Sequence, residues 1–300
     1  MVHGKNRHPG HDGGDPFPLW ERVWREAMQR VVQISDTHLS PNKPHFAGNW
    51  APLTTWLAAR APDLVIHTGD VTVDGADIDE DMAHCRGLLE EIGAPVLSIP
   101  GNHDVGEAHH PHQPVNDERL ARWRSHIGED FWARDLEGWR LIGLNSMLFG
   151  SDEAEERRQL AWLDRQIAEA QGRRLGWFLH RPLFIEAPDE GDRGYWSVPP
   201  RPRAHLLDLV QRHDVAFVAS GHLHRAHDFT VGGTRYIWGP SSGFVVGPEL
   251  QPGMAGTTTL GAVSYGFDGR DFTAEIHEIP ALKTLWIDDV IHEVYPPRAA

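Results

Sequence analysis

The sequence predicts an α/β fold, and three observations predict it. Short apolar runs rich in β-branched residues at 31–35, 63–68 and 96–99 have strand length, and each is followed by a stretch with helical spacing, at 53–60, 79–92 and 117–126. Each run also ends abruptly in polar residues: Asp36, Thr37 and His38; then Gly69 and Asp70; then Asn102, His103 and Asp104. At 300 residues the chain can bury a sizeable core as one large α/β domain, and neither an internal repeat nor a shift in composition demands a boundary. The expected organisation is a flexible tail over residues 1–16 and a single domain over 17–300.

Taken in order, residues 1–16 are rich in Gly and His, with Pro9 and Pro16 breaking any periodicity. Leu19, Val23, Trp24, Ala27 and Met28 recur near helical spacing and predict a short amphipathic helix. The first strand, 31–35, leads through a loop holding Pro41, Pro44 and Pro52 into the first helix, 53–60. The second strand, 63–68, ends at Gly69, which allows a tight turn that brings Asp70 inward. Helix 79–92 and strand 96–99 complete the third repetition of the pattern. A His- and Pro-rich loop over 105–117 then precedes helix 117–126 and a strand at 140–145. In the stretch 154–170, Leu160, Ala161, Leu163, Ile167 and Ala168 share one face, as in a helix lying on a sheet. Further strands are predicted at 176–179 and 215–219, with a helix at 205–212 between them. Strands at 235–238, 261–267 and 272–278 are expected to complete a second sheet within 235–295. Residues 183–203 carry six Pro or Gly residues and little periodicity, so a long functional loop is expected there.

Composition excludes several classes of function. A formal net charge of -15 argues against general nucleic-acid binding by phosphate neutralisation. The single cysteine, Cys85, rules out an internal disulfide or a thiolate metal cage and reads best as a small buried apolar residue. No apolar run reaches membrane-spanning length and no signal-peptide core is present, so membrane insertion is not expected and the cytoplasm is the expected location. Of the 20 histidines, those at 3, 8 and 11 and at 109, 110 and 112 read as solvated surface residues. The informative ones lie at strand ends.

Asp36 and His38 are two apart just beyond a strand and so point to the same side. The pair His222 and His224 repeats that arrangement after strand 215–219, and His180 follows strand 176–179. Any one of these ends is an ordinary turn. Together, Asp36, His38, Asp70, Asn102, His180, His222 and His224 supply enough mixed nitrogen and oxygen donors for two divalent transition-metal ions, Mn, Fe, Zn, Ni or Co, sharing one carboxylate.

These five blocks, Asp36-Thr37-His38, Gly69-Asp70, Gly101-Asn102-His103-Asp104, His180 and Gly221-His222-Leu223-His224, resemble in kind and order the signature of the calcineurin-like metallophosphoesterase superfamily. Within it, the chain looks most similar to bacterial class III cyclic-nucleotide phosphodiesterases and their glycerophosphodiesterase relatives. Arg181 stands where those relatives often have a second histidine, and His180-Arg181-Pro182 is similar to a block of purple acid phosphatases. The resemblance implies a four-layer α/β sandwich of two mixed sheets flanked by helices. It implies that Asp36, His38 and His224 hold one metal, that Asn102, His180 and His222 hold the other, and that Asp70 bridges them. It further implies in-line attack of a metal-bridging hydroxide on a small-molecule phosphodiester, with His103 protonating the leaving oxygen.

Asp104 and Asp74 are candidates for orienting a ligand or holding an imidazole tautomer, or else they simply cap turns. Tyr195, Trp196 and Arg181, with Arg193 and Arg201 nearby in sequence, could meet a planar anionic substrate, although aromatics tucked against the core would read the same way. A phosphomonoesterase of the same superfamily and a non-catalytic scaffold are the alternatives, and a homodimer is allowed for. A metallo-β-lactamase-like hydrolase is not supported, because its His-x-His-x-Asp-His cluster is absent.

Overall fold

Central strands buried on both faces read as continuous apolar runs. That is why β1 (Gln29–Ile34) and β2 (Leu64–His67) were legible, since Val31 to Ile34 and all of β2 are buried. With β3 (Val96–Ser98) they form a parallel trio. The computed structural model describes residues 29–296, so the predicted tail at 1–16 and the helix at 19–28 lie outside the described residues. A long antiparallel hairpin, β10 (Gly261–Asp268) and β11 (Asp271–Glu278), extends this first sheet beyond β1, giving the order β11-β10-β1-β2-β3. The second sheet runs β4-β5-β6-β7-β9-β8, from strands Trp132–Leu136, Trp139–Leu144, Arg174–Leu179, Val215–Ser220, His227–Val231 (β8) and Thr234–Trp238 (β9). The C-terminal strands are therefore divided between the sheets: β9 joins the second, whereas β10 and β11 widen the first.

The two sheets pack face to face through an aromatic core. Val31, Ile66, Val263, Tyr265 and Phe267 of the first meet Trp139, Phe178, Phe217 and Ile237 of the second. The Phe217 and Tyr265 rings stack at 5.3 Å, an arrangement worth about 0.5–1.5 kcal/mol beyond the area it buries. One polar pin crosses this layer. The Tyr265 hydroxyl donates to Gln33 Oε1 at 2.7 Å, and the Gln33 amide donates to Thr68 Oγ1 and to the Ser220 carbonyl.

Helices cover both outer faces, completing four layers. Helices α1 (Trp50–Arg60), α2 (Asp79–Glu90) and α4 (Asp117–His126) seal the first sheet with Leu53, Leu57, Met82, Leu89, Leu120 and Trp123. Cys85 is buried there without a disulfide partner. Between α2 and α4 the chain makes the four-residue helix α3 (Asn102–Val105). Helices α5 (Ala154–Ala168) and α6 (Pro200–Arg212) seal the second sheet through Leu163, Ile167, Leu206, Leu209 and Val210. A last helix, α7 (Ile287–Val294), packs Ile287 and Val294 against Phe46, Val73 and Phe244. Among the described residues, no helix is long and apolar enough to cross a membrane.

Five elements depart from the sequence reading. α6 begins at Pro200 rather than at 205, because Pro200 fits the first helical turn, where no N–H is needed. The loop expected over 183–203 is correspondingly shorter and contains a 3-10 turn, Gly194–Trp196. β4, β8 and α7 were not predicted. The two strands carry exposed polar residues at the edges of their sheet, and α7 lies in a segment read as strand and turn.

Candidate metal centre

The carboxyl ends of β1, β2 and β3 and those of β6 and β7 meet along one rim. Backbone bonds sew the turns together: Asp36 N to the Gly69 carbonyl, His38 N to the Asp70 carbonyl, and Gly221 N to the His180 carbonyl, each at 3.0 Å. Two glycines make this closeness possible. Gly69 sits at φ +92, and a Cβ on Gly101 would lie 2.2 Å from Asp70 Oδ1. Five of the predicted ligands, Asp36, His38, Asp70, His222 and His224, adopt left-handed backbone with φ between 44 and 69. Each such residue costs on the order of 1–3 kcal/mol and persists only where its surroundings impose it, which is a mark of functional sites.

All seven predicted ligand side chains are brought together and are buried. They form two groups that meet at Asp70. In one, the ligand atoms of Asp36, His38 and His224 lie within 4.8 Å of one another; in the other, those of Asp70, His180 and His222 do. Asn102 Oδ1 joins the second group, 3.3 Å from His180 Nε2. Asp70 Oδ2 lies between the groups, 3.2 Å from His180 Nε2 and 3.7 Å from His38 Nε2.

The imidazoles are oriented from behind. His180 Nδ1–H donates to the Thr68 carbonyl, His222 Nε2–H to the Tyr195 carbonyl and His224 Nδ1–H to the Phe244 carbonyl, each at 2.8 Å. A carbonyl can only accept, so each bond fixes which ring nitrogen faces inward, the nitrogen that can bind a cation once it carries no proton. Two of these inward atoms, His180 Nε2 and His222 Nδ1, face each other at 3.1 Å. His38 and His224 present Nε2 to Nε2 at 3.4 Å. Lone pairs held this close repel unless a proton or a cation lies between them. Buried, mixed nitrogen and oxygen donors arranged in this way fit divalent transition-metal ions.

The electrostatics agree. Burial would raise both carboxyls, but neighbouring imidazoles prevail: His224 and His180 hold Asp36, and His180, His103 and His38 hold Asp70, well below the usual carboxylate range. Burial drives His38 well down, and burial together with His180 does the same to His222, keeping both neutral. Burial also works against protonated His180, but the Asp70 charge outweighs it and lifts the group to about 9. A cation bound at that nitrogen would take the place of this proton.

His103 lies at the rim, half-buried, with its Nδ1–H donated to the Val73 carbonyl at 3.1 Å. Its ring is 4.9 Å from that of His38, and its ligand atom also falls within reach of His38 and Asp70. The Asp104 carboxylate contacts no imidazole. It accepts from the backbone N–H groups of Gly101, Val71 and Thr72 and from the Thr72 hydroxyl, tying the β2 turn to the β3 turn. Burial, then the Asp70 charge, pushes it up to about 7. Asp74 turns away from the cluster to pair with Lys43 at 2.5 Å. Tyr195 and Trp196 reach the cluster, and Asn102 Nδ2 donates to the Tyr195 hydroxyl at 3.3 Å. Arg181 is buried and bound to Glu107 at 2.5 Å, with its guanidinium 6.0 Å from the Tyr195 ring. Arg193 is paired with Glu186, and Arg201 is almost fully exposed beside Asp152.

Sequence reasoning missed two residues here. His67 lies inside β2, fully buried, accepting from Gly69 N–H and donating to Thr37 Oγ1, which in turn donates to the Val71 carbonyl. Burial lowers it to about 4. An imidazole within an otherwise apolar strand was the available signal. Tyr295, just past α7, places its hydroxyl 2.7 Å from His38 Nδ1. The cluster opens into a cavity of about 510 Å³ whose far wall is apolar, with Trp196, Phe244, Val246, Ile287 and Ile291.

This geometry can be set beside known proteins. A sequence model of the family described as calcineurin-like phosphoesterase matches residues 29–226, well over half the chain. The chain belongs to the calcineurin-like phosphoesterase family. Members similar to it include a protein named probable cyclic nucleotide phosphodiesterase from a Synechococcus strain, 29% identical over 74% of this chain and 84% of that protein. The 3',5'-cyclic adenosine monophosphate phosphodiesterase of Escherichia coli K12 is 28% identical over 85% of this chain and 91% of that one. The two-sheet architecture is shared with a dimetal phosphatase from Danio rerio, at a TM-score of 0.54 and 12% identity over 82% of this chain and 98% of that one. As a calcineurin-like phosphoesterase, the chain is a metal-dependent phosphoric ester hydrolase.

Proposed function

We propose that this chain hydrolyses a small phosphodiester, of the cyclic-nucleotide or glycerophosphodiester type, at a centre for two divalent transition-metal ions. Asp36, His38 and His224 would hold one ion and Asn102, His180 and His222 the other, with Asp70 placed between the two groups to serve both. The observation that carries this reading is the close approach of the inward-facing nitrogens of His180 and His222 at 3.1 Å, and of His38 and His224 at 3.4 Å, on either side of the Asp70 carboxylate. Bound in such a site, divalent cations neutralise phosphoryl oxygens and make water nucleophilic at neutral pH.

The chain's own residues do the rest. With its Nδ1–H engaged by Val73, His103 has Nε2 as the nitrogen that delivers a proton to the leaving oxygen, a contribution of roughly 10²- to 10⁴-fold. Tyr195, Trp196 and the apolar wall hold the organic substituent and keep bulk water from it. The names of the Synechococcus and E. coli relatives support a diester substrate.

The test is hydrolysis of bis-p-nitrophenyl phosphate, 3',5'-cyclic AMP and p-nitrophenyl phosphate with added Mn²⁺. The diesters are expected to turn over and the monoester to lag; the reverse order would replace this reading with a phosphomonoesterase. Asp70→Ala and Asn102→Ala should abolish turnover, and activity in either would refute the assigned centre. His103→Ala should slow cleavage by roughly 10²-fold or more with bound metal unchanged. Loss of metal from that variant would make His103 a ligand instead.

A further inference from the structure

Among the buried imidazoles of the centre, His38 is held differently from the rest. His180, His222 and His224 each donate to a main-chain carbonyl, an acceptor that no side-chain substitution removes. His38 Nδ1 instead meets the hydroxyl of Tyr295, 257 positions further along the chain and just beyond the last helix. When His38 Nε2 is bare and directed at Asp70 and His224, its proton lies on Nδ1, and the Tyr295 oxygen is the partner placed to accept it.

We propose that Tyr295 is the positioning residue for His38, and that the C-terminal helix thereby sets how tightly the Asp36, His38 and His224 half of the centre retains its metal. The proposal rests on the two-ion reading above and assigns Tyr295 no contact with the metal. Three features of the structure support it. α7 is fastened over the site at its end, where Lys43 Nζ donates to the Val294 carbonyl at 2.6 Å and His45 pairs with Glu293 at 3.1 Å. Its apolar face packs into Phe46, Val73 and Phe244, and Phe244 is the residue whose carbonyl holds His224. The Tyr295 ring lies 4.5 Å from that of His103, so the same side chain flanks both the rim histidine and the buried one. Losing a hydrogen-bond partner behind a metal-bound histidine typically weakens metal affinity about 10- to 100-fold.

The experiment is a Co²⁺ titration of metal-free protein, followed by the visible absorption of the bound ion and by equilibrium dialysis. Wild type is expected to take up two ions. Tyr295→Phe keeps the ring and its packing but removes the acceptor, so one of the two sites should weaken by about 10- to 100-fold while the other is unchanged. The variant should still unfold cooperatively without metal, with a midpoint lowered only modestly by the one unpaired N–H, and a general structural loss would instead weaken both sites together. Tyr295→Ala, which also removes the ring, should weaken the same site at least as much. Wild-type affinity at both sites in Tyr295→Phe would overturn the proposal while leaving the two-ion centre standing. Failure of wild type to bind two ions would overturn both.

Discussion

His67 offers a test of how the centre is braced that does not depend on turnover. It is fully buried and lies between the first and second ligand-bearing turns, accepting from Gly69 N–H at 3.2 Å and donating to Thr37 Oγ1 at 2.9 Å. The bond from Gly69 requires the neutral ring, since a protonated imidazole has no acceptor nitrogen. Burial takes the group from 6.5 down to about 4, against the opposing charges of Asp36 and Asp70. As pH falls, the unfolded chain therefore takes up the proton first, and this contribution to stability is lost between about pH 6.5 and pH 4. Going from about pH 7 to about pH 5, the linkage relation gives a loss of about 2 kcal/mol from this residue alone. Burial also lowers His38 and His222, so the measurement must be a difference. Urea unfolding in chelator, wild type against His67→Gln, supplies it, because glutamine keeps a donor and an acceptor but takes no proton. At about pH 5 the gap between the two should have moved by about 2 kcal/mol in favour of the variant, relative to about pH 7. Parallel pH dependences would refute the claim that His67 is buried neutral.

Two further outcomes follow from the close packing of the turns. Gly101→Ala would place a Cβ 2.2 Å from Asp70 Oδ1; a displacement of Asp70 by about 1 Å should cost roughly 10²-fold in kcat/KM while the fold persists. Wild-type kinetics in that variant would show that Asp70 does not need its present place. Asp104→Asn sets an amide N–H₂ against buried donors, leaving two of them unpaired at a cost on the order of 2–6 kcal/mol. Calorimetry should show a clearly lowered thermal midpoint, and an unchanged one would mean the carboxylate is not the tie between the β2 and β3 turns.

Much of the site was legible because its chemistry sits where apolar runs stop. A buried strand needs no polar residue, so Asp36, His38, Asp70, Asn102, His180, His222 and His224 stand out against their neighbours, and the structure gathers all seven. The four layers were legible through the resemblance those blocks carry. What escaped notice lacked that contrast. β4 and β8 are edge strands with exposed charges, such as Arg134, Asp135 and Asp228, and show no apolar run. Pro200 and Pro202 suggested a loop, although a proline in the first turn is a good helix start. Asp74 stood near the right turn, yet Lys43, distant in sequence, claims it. Tyr295 and the carbonyls behind the imidazoles act through contacts that no local pattern encodes.

The left-handed backbone at five of the ligand positions has a consequence for what the site can become. Asp, Asn and His are the side chains, besides glycine, that tolerate this conformation best, and they are also the oxygen and nitrogen donors found here. Residue choice is thus doubly restricted, by coordination and by the shape of the main chain. A glutamate at Asp36 or a cysteine at His222 would offer a competent donor on a backbone that resists it. Attempts to retune this centre for another metal by exchanging donor atoms would therefore meet a conformational barrier before any question of metal preference arose.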